Sequence, residues 1–170
     1  MSGIHAGIQT SHSLHEMFVK YQHAGSPKTK AAQDTLFDWA RNHKTTIVLN
    51  GGMQENLEDL FYFLGMDANP YPFAKFHEAD FSLNGALTNV GIVLPEAIYK
   101  TAAELRQFKS HGNTHRIKEH DDGSLHVFRD SKRNILLVTD DVTGENAHHE
   151  VYSPWQHELM RRMNRCNLMS

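Results

Sequence analysis

Phe73-Ala74-Lys75-Phe76-His77-Glu78 and Leu87-Thr88-Asn89-Val90-Gly91-Ile92-Val93-Leu94 are the stretches on which the reading of the fold turns. In the first, Phe73, Lys75 and His77 alternate with Ala74 and Phe76, the period of a pleated strand; the second is a short buried run. Together they read as two paired strands. Before them, Asn69-Pro70-Tyr71-Pro72 is a break, and Leu57, Leu60, Phe61 and Leu64 form the apolar stripe of a helix that stops at Gly65. After them, Pro95 stands at the first position of another helix, whose apolar face is Ile98, Ala102 and Leu105 and which runs to about Phe108.

Further toward the start, Asn50-Gly51-Gly52 is a turn and Thr45-Thr46-Ile47-Val48-Leu49 is a β-branched run that reads as a strand. A helix over about residues 29–43, with Ala32, Leu36, Trp39 and Ala40 on one side, leads into it. A first helix spans about residues 5–23, its apolar positions taken as Ile8, His15, Phe18 and Val19, and Gly25-Ser26-Pro27 stops it. The first 108 residues therefore alternate helices and strands.

The remainder differs in character. Arg116-Ile117-Lys118 and Leu125-His126-Val127-Phe128 flank Asp121-Asp122-Gly123, a hairpin signal. Asn134 to Thr139 reads as a strand buried on both faces and residues 140–152 as loop. Ser153 and Pro154 start a terminal amphipathic helix with Leu159, Met160 and Met163.

Composition narrows the class. The chain has 170 residues, 39% of them hydrophobic and 22% charged, and a formal charge of −3, which fits neither a disordered polyelectrolyte nor a membrane span. A single cysteine, Cys166, permits no intramolecular disulfide and no cysteine zinc cluster. With no signal-peptide pattern and no 18-residue apolar run, a cytoplasmic protein without membrane contact is expected. Residues 1–95 hold 6 Lys/Arg against 9 Asp/Glu and residues 96–170 hold 11 against 11, so basic residues concentrate late in the chain. Arg161, Arg162 and Arg165 with Lys132 and Arg133 suit a phosphate backbone, or simply the dipole at a helix end.

The opening Gly3-Ile4-His5-Ala6-Gly7-Ile8-Gln9-Thr10-Ser11-His12 resembles the helix-start motif of the type 2 peptidyl-tRNA hydrolase family, commonly Gly-Lys-(apolar)-Ala-Ala-Gln-x-(small)-His, with Gln9 and His12 matching. Phe76-His77-Glu78-Ala79-Asp80 and Leu87-Thr88-Asn89-Val90-Gly91-Ile92 are similar to that family's Asp-containing loop and its Thr-x-x-Gly-Ile strand. The resemblance covers about the first two thirds of the chain. It implies an α/β fold with a small mixed β-sheet and helices on both faces over residues 1–109, to which residues 110–170 add a packed extension of hairpin, strand and helix.

The family's opening strand, Val-(apolar)-Val-Val-Arg-x-Asp-Leu, has no counterpart ahead of the motif. Either Met1 is an internal start of a longer product or another segment takes the slot. Asn134 to Asp140 has the apolar length and the terminal Asp for it. Asn134 to Thr139 is thus expected in the middle of the main sheet, beside Thr46 to Leu49 or Asn89 to Leu94, because a gap would leave buried edges with unpaired backbone groups at about 1–3 kcal/mol each. The family's Lys aligns with His5, and its Asp with Glu78 across a two-residue deletion. Its Thr has no clear counterpart, Asp80 and Ser82 being the nearest polar residues.

What the resemblance implies is hydrolysis of the ester joining a peptide to the 3′ end of a tRNA, which needs an activated water and donors for the oxyanion. In that scheme Glu78 orients or deprotonates the water, Gln9 donates to the oxyanion, and His5 replaces the lysine as cation or base. Gly3 at the helix start, with His12, Asp80, Ser82 and Thr88, would hold the substrate. Peptidyl-tRNA is the expected partner, no cofactor is expected, and an exposed sheet edge leaves a homodimer open. Gln9 is expected at a solvent-facing helix start. A catalytically impaired RNA- or protein-binding module on the same fold is the second reading, and a metal-dependent hydrolase built on histidines the third. For the last, His12 with His15, or His111, His115 and His120, or His148 with His149, have no strong third ligand in sequence, so no metal site is assigned.

Overall fold

The computed structural model describes residues 3–108, 116–137 and 148–168. The fold is mixed α/β, as expected, and the chain divides into two compact units: Met1–Pro95 with Cys166–Ser170, and Glu96–Arg165. The division falls at Pro95, ahead of the helix that the sequence reading grouped with the first part.

In the first unit, α1 (Gly3–Lys20), α2 (Pro27–Asp38) and α3 (Gln54–Leu64) surround an antiparallel ribbon of β2 (Phe73–His77) and β3 (Leu87–Ile92). The ribbon is sandwiched. Lys75 lies over the Phe61 ring and Phe61 meets Phe73, which puts α3 against the odd-numbered residues of β2. Ala74 and Val93 pack with Met17, Tyr21, Ala32 and Leu36, while Phe76 stacks on His12, which puts α1 against the even-numbered side. Strand alternation thus puts α3 on one face and α1 with α2 on the other.

Ser26 caps α2 in a reciprocal capping box with Thr29, and Pro27 follows at the first helical position, where its missing N–H costs nothing. The helix ends in a π-helical turn, Trp39–His43, closed by left-handed Lys44 (φ 57°). This turn cuts short the expected strand at Thr45 to Leu49. The Thr45 carbonyl accepts from the Trp39 indole, residues 44–47 are exposed, and only β1 (Leu49–Asn50) is laddered, against β7 (Asn167–Leu168). A β-branched run makes a strand only where a partner strand exists.

The face that α1 buries also differs from expectation. Ile8 and Val19 are exposed, and the packed stripe is Ala6, Gln9, Ser13 and Met17. Two of its four members are polar, which hid it from a hydrophobic reading.

The second unit packs α5 (Glu96–Phe108) and α6 (Pro154–Arg165) with an antiparallel sheet of β4 (Ile117–Glu119), β5 (Leu125–Arg129) and β6 (His148–Tyr152). The hairpin turn at Asp121-Asp122-Gly123 forms as read, with Gly123 at φ 85°. Strand β6 was expected as loop; three of its five residues, His148, His149 and Glu150, are polar, and pairing with β5 defines it. The expectation that Asn134 to Thr139 fills the middle of the main sheet is overturned for its described part. Asp130 accepts from the backbone and side chain of Asn134, Arg133 turns left-handed (φ 68°), and Ile135 folds back to bridge Arg129 while the Leu136 N–H donates to the Phe128 carbonyl. A local side-chain-locked turn prevailed over the distant slot. Residues 138 and 139 lie outside the described set.

Arg129, 3% exposed, is the polar centre of this unit. It donates to Glu104, to Glu150 and to the Thr101 hydroxyl, while the Tyr152 hydroxyl donates to Glu150. Burial alone would lower the guanidinium pKa, but the two carboxylates hold it above its ordinary value. Burial likewise pulls Glu150 upward, and the bonds from Tyr152 and Arg129 outweigh it, leaving its carboxyl below the ordinary range.

Candidate functional site

Three polar side chains of the first unit, Gln9, Glu78 and Thr88, converge where α1 crosses the end of the ribbon. Gln9, 8% exposed, donates from its amide nitrogen to Glu78 Oε1, and its Oε1 accepts from the Thr88 hydroxyl at 3.1 Å. An ionised carboxylate can only accept, so the amide must present nitrogen to Glu78 and oxygen to Thr88. One turn of backbone positions each partner. Glu78 follows β2 directly, with its N–H bonded to the Ala86 carbonyl at 2.9 Å, and the neighbouring His77 Nδ1 meets the Gly85 carbonyl at 2.9 Å.

Thr88 reaches α1 because the ladder is irregular there. Phe76 pairs with Asn89 and His77 with Leu87, so Thr88 is an extra residue on β3, a β-bulge. A regular strand would point Thr88 and Asn89 to opposite faces. In the bulge both engage α1, Thr88 through Gln9 and Asn89 by a 3.5 Å contact from its amide nitrogen to the Thr10 hydroxyl. Asn89 Oδ1 is buried with no partner among the described residues. Gly91 permits the close approach of the helix: a Cβ there would stand 3.0 Å from Ser13 Oγ and 3.5 Å from Met17 Cε.

The structure brings Gln9, Glu78 and Thr88 together. It buries Gln9, where a solvent-facing helix start was expected, and uses its amide to join two side chains. His5 is exposed one turn ahead of Gln9, an offset that puts both on one side of α1. His12 is exposed and stacked on Phe76 (4.4 Å between centroids, 18° between planes). Gly3 is the first residue of α1; Asp80 opens the short α4 (Asp80–Leu83), exposed, and Ser82 falls within that helix. Asn89 and Thr10 were missed, since neither belongs to a matched motif position and a bulge leaves no mark in hydrophobic periodicity.

Other sequence candidates find structural partners. Arg161 makes a bidentate pair with Glu119, Arg162 pairs with Glu158, and Arg133 with Glu150. Cys166 is half-buried, and burial pushes its thiol pKa up, away from a reactive thiolate. Among the described residues no group of three or more His, Cys, Asp or Glu is placed to hold a metal, and His111 and His115 lie outside them. No helix among the described residues is long and apolar enough to cross a membrane. No protein-family model, no curated protein and no solved structure matches the chain.

Proposed function

We propose that the Gln9–Glu78–Thr88 cluster is the active site of a cytoplasmic ester hydrolase of the type 2 peptidyl-tRNA hydrolase kind. The observation that supports this reading is the joining of Gln9 to Glu78 and Thr88, residues 69 and 79 positions away, by hydrogen bonds through one buried amide.

In this reading Glu78 takes a proton from water as the water oxygen bonds to the ester carbonyl carbon. The carbonyl oxygen becomes an oxyanion, stabilised by the second amide N–H of Gln9 or by the Thr88 hydroxyl once substrate displaces its present bond. Collapse breaks the bond to the ribose oxygen, and the protonated Glu78 returns its proton to that leaving group. His5, in the place of a lysine, and the N-terminal turn of α1 at Gly3 face the phosphate-bearing end of the tRNA. His12, stacked on Phe76, with Asp80 and Ser82 of α4, act as substrate contacts in this reading.

One observation favours the second reading, a binding module that no longer cleaves: both polar ends of Gln9 are engaged by side chains, so the amide is not held open for an oxyanion. Incubating the purified chain with labelled peptidyl-tRNA separates the two. Peptide release, lost in Glu78→Gln, supports the hydrolase. A gel shift without release above buffer supports the binding module.

A further inference from the structure

The sheet of the second unit has two unlike faces. Leu125, Val127, Arg129 and Tyr152 are buried, with Arg129 and Tyr152 bonded to Thr101 of α5. The alternate residues form the other face: register places Lys118 opposite His126, His126 opposite Val151, and Phe128 opposite His149. Lys118, His120, His149 and Val151 there are exposed, Val151 at 56%.

That face is built of flat rings. Phe128 and His149 are stacked with centroids 4.5 Å apart and planes 6° apart; His126 lies 4.8 Å from His149, and His120 lies 4.0 Å from His126. Lys118 Nζ stands 6.0 Å from the Phe128 ring centre. Among the described residues, these carboxylates near the sheet are held by other groups. Glu119 is paired with Arg161, Glu150 with Arg129 and Tyr152, Asp122 accepts from the Ser124 N–H, and Asp130 from Asn134. Asp121 sits in the turn beyond the strands.

We propose that this face is a stacking surface for unpaired nucleobases and that the chain binds single-stranded nucleic acid through His126, Phe128 and His149, with Lys118 against the phosphates. Every base offers a π face to such rings, whereas a duplex keeps those faces stacked inside. An apolar protein partner would call for several aliphatic anchors, and among the described strand residues of this face Val151 is the aliphatic one. The cation belongs to the same face as the rings, which suits a polyanion carrying bases. This site is independent of the hydrolase reading.

The test is fluorescence anisotropy of the full chain with labelled adenylate and uridylate oligomers of about ten nucleotides, against a duplex of the same length, at about 50 mM salt. Single strands should bind at least about tenfold tighter than the duplex. Phe128→Ala and His149→Ala should each weaken binding about tenfold, and Phe128→Tyr should preserve it. Should Phe128→Ala lose its circular-dichroism signature, Val151→Glu, at an exposed position, places a carboxylate on the same face and should weaken binding equally. Equal affinity for duplex and single strand, no single-strand binding, or folded variants that bind like the parent would overturn the proposal.

Discussion

The Thr88 hydroxyl donates to Gln9 Oε1 at 3.1 Å because the bulge that makes Thr88 the unpaired residue of β3 turns it toward α1. If the cluster is the proposed active site, Gln9 serves turnover and stability at once. Gln9→Ala should lower peptidyl-tRNA turnover by about 10²-fold. It should also cost about 1–3 kcal/mol, since it leaves the Glu78 carboxylate and the Thr88 hydroxyl without their shared partner. Single-turnover kinetics beside urea titration of the same protein read both effects, and a loss of stability with turnover intact would make the cluster structural only.

Glu78→Gln keeps a hydrogen-bonding group and removes the proposed base. Its kcat should fall by about 10²–10⁴-fold with little change in the melting curve. His5→Lys, tested at pH 8 where a lysine remains charged and an ordinary histidine is neutral, should keep or raise the rate. A collapse of the rate in His5→Lys would assign His5 a neutral-imidazole role instead.

Much of this was legible in the residues. The period-two pattern of Phe73 to Glu78, the proline before Glu96, the Asp121-Asp122-Gly123 turn and the Ser153-Pro154 start all act within a few residues, so they survive folding unchanged. What was not legible depends on partners. Thr45 to Val48 had strand propensity but no strand beside it; Asn134 was claimed by Asp130; and α1 buries Gln9 and Ser13, polar residues whose burial follows from groups far along the chain. Within the candidate site, motif resemblance found Gln9, Glu78 and Thr88, while Asn89 and Thr10 depended on a bulge.

Gly91→Ala should push α1 from the ribbon. Its Cβ would stand 3.0 Å from Ser13 Oγ, and Ser13 and Met17 are almost fully buried, at 1% and 0% exposure. A cost of about 1–3 kcal/mol is expected from such overpacking. Adding Ser13→Ala removes the offending oxygen, and a double-mutant cycle in chemical denaturation should show the recovery.

Arg129→Ala should destabilise by about 3–5 kcal/mol, because Glu104 and Glu150 would keep their negative charges in a half-buried site without the cation between them. Neutralising both in the same chain, Glu104→Gln with Glu150→Gln, should return a good part of the loss. Thermal unfolding of both variants beside the parent measures this.

The pKa of His126 is lowered, first by desolvation on the sheet face and then by the neighbouring imidazoles of His120 and His149. A folded-state pKa below the unfolded value means that the unfolded chain binds the proton more readily. Stability should therefore fall as pH drops from about 6.5 toward the depressed value. NMR titration of the ring protons should find His126 below the ordinary histidine midpoint, and His149→Ala should move it upward.

The two-residue ladder of Leu49–Asn50 with Asn167–Leu168 imposes an order on synthesis. A ribosome adds roughly 5–20 residues per second, so the stretch from residue 51 to 166 separates the two strands by several seconds at least. Throughout that interval the Leu49–Asn50 backbone lacks its distant partner. An edge of two residues offers a neighbouring chain little to pair with, since very short edges are one way proteins blunt edge pairing. Slowing translation late in the gene therefore delays the closing of this ladder without opening a long edge to neighbouring chains.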